Sequence, residues 1–172
     1  MTRDELVKRI GEKAIIYGDF TLRSGRKSSY YLDKYLLTTD SLILGALGEL
    51  IAAQVDESIQ RLAGAELGGI PLVSAAGLAT GLPTVFVRNQ KKTYGTAKQL
   101  EGPLEPGDRV LLVEDVCTTG GQILEAAKTL SEAGAVVAQI VGTIDREEGA
   151  RANIEAAGYR FVSLFCKTDF GL

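Results

Sequence analysis

The chain has no histidine among its 172 residues. A histidine general base, a Ser-His-Asp triad and a histidine-ligated metal are therefore excluded. Any chemistry must come from carboxylates, lysines, arginines, hydroxyls or backbone groups. Cysteine is almost as scarce: Cys117 and Cys166 are too few for a thiolate metal site or a disulfide framework. No apolar stretch approaches the ~20 residues that cross a bilayer. The N-terminus, MTRDELVKRIGEK, reads as an acid-containing amphipathic helix and not as a leader. A soluble, cytoplasmic protein with no membrane partner is expected. The Walker lysine motif and the dinucleotide GxGxxG spacing are missing as well.

What is present is ordinary in bulk. A net charge of −3 gives no reason to expect nucleic acid as a partner. The length suits one core, so residues 1–172 read as a single domain. Asp4 to Glu12 reads as a helix, Phe20 to Lys34 as β-type residues broken at Ser24-Gly25, and Leu42 to Val55 as a helix. Arg61 to Glu66 is then a strand, Gly69 to Gly81 a helix of small residues, and Pro83 to Val87 a strand. After the turn Pro103 to Gly107 come a strand (Arg109 to Val113), a helix (Gly121 to Ala133), a strand (Val136 to Ile144), a helix (Glu147 to Ala157) and a last strand (Arg160 to Phe165). This alternation predicts an α/β fold with a doubly wound, mainly parallel sheet. Thr168 to Leu172 reads as no more than an end.

The most informative stretch is VLLVEDVCTTGGQ, Val110 to Gln122. Four apolar residues without alternation indicate a strand buried on both faces. Glu114 and Asp115 follow it at the edge where open α/β sheets bind ligands, and buried acids there are costly unless something polar meets them. Thr118, Thr119, Gly120 and Gly121 then open a helix, and unpaired N–H groups at a helix start cradle anions. Acids beside an anion cradle fit a ribose 5-phosphate: carboxylates for the 2- and 3-hydroxyls, N–H groups for the phosphate. The other reading is an ordinary strand, turn and helix of some different nucleotide-binding protein. A metal could still arrive bound to a phosphorylated substrate, as Mg²⁺ does.

A second segment, RNQKKTYGTAK (Arg88 to Lys98), holds Arg88, Lys91, Lys92 and Lys98 and no acid. Such a loop can close over a pyrophosphate and stabilise the charge that grows as a bond breaks. On charge alone, a solvated lysine loop is equally open.

The ribose-phosphate stretch resembles the signature of the type I phosphoribosyltransferases. Four segments in order narrow the resemblance to the orotate phosphoribosyltransferase family: FTLRSGRKSSYYLD (Phe20 to Asp33), GAELGGIP (Gly64 to Pro71), RNQKKTYG (Arg88 to Gly95) and VEDVCTTGG (Val113 to Gly121), with Asp145-Arg146 beyond them. The resemblance implies the type I phosphoribosyltransferase fold, with a base-binding hood contributed by about residues 1–40. It also implies transfer of phosphoribosyl from 5-phosphoribosyl 1-pyrophosphate to orotate, giving orotidine 5-phosphate and diphosphate in pyrimidine synthesis. Glu114, Asp115 and Lys92 are the implied catalytic residues. The phosphoribosyl pyrophosphate site would comprise Arg23, Arg88, Asn89, Lys92, Tyr94, Glu114 and Asp115 together with Val116, Cys117, Thr118, Thr119, Gly120, Gly121 and Gln122. Gly64 to Gly69 would form the pyrophosphate loop. Orotate would meet Thr118, Arg146, Tyr30 and Tyr31, with Arg146 on its carboxylate. Mg²⁺ would come with the substrate and have no direct protein ligand. A homodimer is implied, with the 88–98 loop reaching the neighbouring site.

The sequence departs from the family pattern in the loop, where Asn89 and Gln90 replace a lysine and an acid and Tyr94 a histidine. Gln122 stands where a hydroxyl residue is common, which weakens the side-chain part of the cradle. Two alternatives remain: a phosphoribosyltransferase for another base, and a non-catalytic regulator with this fold. Cys117 and Cys166 read as packing residues.

Overall fold

The computed structural model describes residues 1–21, 25, 27–89 and 99–172. Helix α1 (Arg3–Ala14) starts with a capping box, in which Thr2 and Glu5 satisfy each other's backbone N–H groups, and it buries Leu6, Ile10 and Ala14 along one stripe. The chain then turns directly into an antiparallel ribbon, β1 (Ile15–Thr21) with β2 (Lys27–Leu32). This ribbon begins five residues earlier than the β-type stretch expected from Phe20. Helix α2 (Lys34–Thr39), started by the Asp33 cap, was not anticipated. Asp40 caps α3 (Ser41–Ala52) through the Leu42 and Ile43 N–H groups and is clasped by Arg9 at 2.7 Å, which together hold its carboxyl below the usual range.

The main sheet has the order β5-β4-β3-β6-β7-β8. Its parallel strands are β3 (Arg61–Ala65), β4 (Thr84–Val87), β6 (Arg109–Cys117), β7 (Val136–Asp145) and β8 (Phe161–Cys166); only the short edge strand β5 (Leu100–Glu101) runs antiparallel. Helix α4 (Gly69–Thr80) packs with α1, α2 and α3 on one face, where Leu111 and Val113 of β6 point. The helices α5 (Gly121–Glu132) and α6 (Ala150–Ala156) cover the other face, where Val110 and Leu112 point. Those four side chains are fully buried, each worth about 1.5–3 kcal/mol of transfer free energy. The doubly wound, mainly parallel sheet read from the sequence is thus the fold observed.

The winding direction reverses between β3 and β6, adjacent strands whose chain continuations run to opposite edges. A crevice opens at the carboxyl ends of strands at such a point. Boundaries near the crevice also differ from expectation. Strand β6 does not stop at Val113 but continues through both acids to Cys117, and α6 begins at Ala150, not Glu147. The C-terminal segment is also more than an end. Lys167–Phe170 forms a 3₁₀ turn whose Asp169 bonds Arg3 at 3.1 Å, tying it to α1.

Candidate active site

Glu114 and Asp115 lie within the last residues of β6, 5% and 1% exposed. Each carboxylate accepts from the N–H of the following residue, Glu114 Oε1 from Asp115 and Asp115 Oδ1 from Val116. Across this pair the strand's alternation slips by one residue, because Val116 joins the α4 face and Cys117 the α5 face. Among the described residues, Glu114 Oε2 and Asp115 Oδ2 have no hydrogen-bond partner, although Lys34 Nζ lies 3.0 Å from Asp115 Oδ2 as an ionic contact. Burial, reinforced by the Asp115 charge, raises the Glu114 pKa well above its ordinary value. Burial opposes the charge on Lys34, yet the attraction of Asp115 prevails and its pKa is raised. Gly68, before α4, lets the backbone approach Asp115 so closely that a Cβ there would fall inside the carboxylate.

The loop between β6 and α5 faces its carbonyls away from the start of α5. Those of Cys117, Thr118 and Thr119 accept from Arg146 N–H (2.9 Å), Ala150 N–H (3.1 Å) and Asn153 Nδ2 (2.9 Å). Gly120 then adopts φ +81°, which an L side chain rarely takes, and a Cβ there would also press on Ile154. No side chain caps α5, so its first N–H groups are left for a ligand.

A cavity of about 950 Å³ opens over this loop and is closed on its far side by the β1–β2 ribbon, through Phe20, Thr21, Tyr31 and Leu32. Lys34, Glu114, Val116, Thr118 to Gln122 and Arg146 also line it. Arg146 pairs with Glu148 at 3.0 Å and has its guanidinium 5.7 Å from the Tyr30 ring, while its buried Nε has no described partner. Tyr31 packs on Phe20 with ring centroids 5.7 Å apart. Thr143 Oγ1 on β7 is likewise buried without a described partner. Orphaned polar atoms thus collect at the carboxyl ends of β6 and β7, the side from which a polar ligand would complete them.

Most of the residues expected from the sequence come together here, with corrections. Cys117 touches the cavity but is 2% exposed, and burial pushes its thiol pKa up, so it is a packing residue. Gln122 does not extend the cradle with its side chain. Its amide bonds Asn89 and the Glu66 carbonyl instead. Arg88 and Asn89 line a separate cavity of about 210 Å³ behind Gln122. Arg23, Lys92 and Tyr94 lie outside the described residues. Lys34, Asn153 and Glu148 were missed. Nothing in the sequence marks the first two, whereas the Asp145 to Glu148 charge run could have suggested a partner for Arg146.

A family model of the phosphoribosyl transferase domain matches residues 40–158. The orotate phosphoribosyltransferase of Methanocella arvoryzae is 46% identical over 160 residues, covering 93% of this chain and 90% of that protein. That of Pyrococcus furiosus is 45% identical over 166 residues, covering 94% and 91%. The crystal structure of Mycobacterium tuberculosis orotate phosphoribosyltransferase in complex with 5-phospho-alpha-D-ribosyl 1-diphosphate superposes with a TM-score of 0.81 at 32% identity, covering 99% of both chains. Identity at this level along nearly the whole length, on a sheet whose reversal point carries the acid pair and the cradle, shows that the chain belongs to the orotate phosphoribosyltransferase family.

Proposed function

We propose that this site transfers the 5-phosphoribosyl group from 5-phosphoribosyl 1-pyrophosphate to orotate, forming orotidine 5-phosphate and diphosphate. The observation that carries this reading is the meeting, at one cavity, of Glu114 from a buried acid pair with the uncapped start of α5, whose first residue, Gly121, comes six positions after Asp115. Glu114 and Asp115 would accept from the ribose 2- and 3-hydroxyls, and the Thr118 to Gly121 N–H groups would hold the 5-phosphate. At the other end, Arg146 would meet the orotate carboxylate, with Tyr30 and Tyr31 flanking the ring. The ring nitrogen, reacting as the anion after its proton has gone to solvent, attacks the anomeric carbon, the bond to the pyrophosphate oxygen breaks, and the departing electron pair leaves with the pyrophosphate. Arg88 and Lys92 would offset that growing charge.

Among the described residues no cluster of three potential ligands could hold a metal by itself. Glu114 Oε2, without a described partner, and Asp115 Oδ2, met by Lys34, are nevertheless hard oxygens that would support a substrate-borne Mg²⁺ through the sugar hydroxyls and water. When bound, Mg²⁺ would neutralise pyrophosphate charge. The acids support it and orient the sugar.

Residues 1–40 would act as the hood of a single domain, since the ribbon walls the cavity. A homodimer that exchanges the 88–98 loop is what the family resemblance implies for this chain. No described helix is long and apolar enough to cross a membrane. Two free thiols suit a reducing cytoplasm. The deciding assay follows orotate consumption with phosphoribosyl pyrophosphate and Mg²⁺, alongside purine and uracil controls. Turnover of a purine in place of orotate would overturn the assignment.

A further inference from the structure

Asn89 and Gln122, both departures from the family pattern, are bonded to each other. Gln122 Nε2 donates to Asn89 Oδ1 at 3.2 Å and to the Glu66 carbonyl at 3.2 Å. Asn89 donates twice to Glu66, from its N–H to Oε1 at 3.0 Å and from Nδ2 to the carbonyl at 3.4 Å. Two amides and one glutamate thus close a ring across the end of β3, the residue pair after β4 and the first turn of α5. Donors and acceptors match throughout it, and no like charges meet. Beside the ring, Arg88 N–H donates to the Gln99 carbonyl at 2.9 Å, and Gln99 Nε2 donates to the Arg88 carbonyl at 3.0 Å. The described residues on both sides of segment 90–98 are therefore fastened at the same sheet edge.

We propose that Gln122 and Asn89 are positioning residues, a bracket that sets the direction in which the cationic segment leaves β4 relative to the phosphate cradle. Gln122 follows Gly121 of the cradle, and Asn89 is the last described residue before the segment that carries Lys91 and Lys92. A phosphate seated on the first turn of α5 would fix Gln122, and the shared amide bond passes that constraint to Asn89. Electrostatic help at a leaving group depends on where the cations are held, and an error of about 1 Å can cost roughly 100-fold in rate. The inference rests on the phosphoribosyl transfer reading above. In it the side chains of Asn89 and Gln122 act through the loop without touching substrate.

The test compares Gln122→Met, Asn89→Ala and the double variant in the full-length protein. Each single change should lower kcat about 10-fold. The Michaelis constant for orotate should stay within about twofold, and Tm within about 2 °C, because both residues are exposed. The double variant should be no slower than the slower single, the signature of one shared device. Amide hydrogen exchange at Asn89 provides a readout independent of turnover and should accelerate in Gln122→Met. Losses that multiply in the double variant, an unchanged kcat, or unchanged exchange at Asn89 would each overturn the bracket. A wild-type protein inactive on orotate would instead sink the assignment of function, with the exchange measurement still deciding the bracket.

Discussion

At the end of the cavity proposed for the ribose phosphate, Glu114 and Asp115 are 5% and 1% exposed and three successive carbonyls are anchored by α6 and its approach. At the end proposed for the base, Tyr31 is 44% exposed on a ribbon whose strands, among the described residues, pair only with each other. The first end is an extension of the sheet and inherits its rigidity. The second hangs from two strands, and an isolated hairpin is at best marginally stable. Charge is handled alike at both: Lys34 stands against Asp115, and Glu148 against Arg146. Asp115 and Arg146 thus each have an opposite charge within the chain before any ligand arrives, whereas Glu114 Oε2 is without a partner among the described residues. On the proposed reading, the difference teaches that affinity for the sugar phosphate would be built into the core, while choice of base would be delegated to a more adaptable wall.

Changing Glu114 to Gln and Asp115 to Asn together gives the largest expected effect. Charge-assisted hydrogen bonds are worth about 1.5–3 kcal/mol each, so phosphoribosyl pyrophosphate should bind at least about 100-fold more weakly by calorimetry. Orotate affinity should hold, and an equal loss of both ligands would erase the distinction between the two ends. Next comes Arg146→Ala, which should raise the orotate Michaelis constant roughly 10-fold or more and leave that of phosphoribosyl pyrophosphate within about twofold. Parallel effects would make Arg146 a structural partner of Glu148.

Gly120→Ala tests the rigidity of the cradle itself. A left-handed alanine costs about 1–2 kcal/mol, which at this size is a fall in Tm of roughly 2–8 °C. The same change at exposed Gly25 (φ +82°), between β1 and β2, should cost less because no described atom lies within 4 Å of its Cβ.

The smallest effect is the pH dependence of Glu114→Gln. Burial, then the Asp115 charge, raises the Glu114 pKa, so the folded state binds the proton more tightly than the unfolded one. Its contribution to stability is complete below the ordinary value of 4.5 and is lost as pH rises through the raised folded value. The variant should therefore match the wild type near pH 4 and exceed it at pH 8, by about 2–4 °C in Tm for each kcal/mol relieved. An advantage that grows toward low pH would contradict this sign.

The sequence by itself determined the parts that depend on neighbours along the chain. The unbroken run Val110 to Val113 announced a strand covered on both faces, and Thr118 to Gly121 announced a turn into a helix. The acids between them had to lie at the ligand-binding edge of the sheet. Strand β6 ran on to Cys117 because β7 pairs with it as far as Cys117 opposite Asp145, a partner that the local sequence does not reveal. Only the tertiary structure decided which groups answer the buried charges. Lys34 comes from the start of α2, Asn153 from α6 and Glu66 from the end of β3, and nothing in their immediate sequence sets them apart from solvated residues. Their partners lie 81, 34 and 23 residues away respectively: Asp115, Thr119 and Asn89. Burial demands that an ion or carbonyl be satisfied, but any suitable donor meets that demand, and the packing of α2 and α6 against the sheet determines which one does.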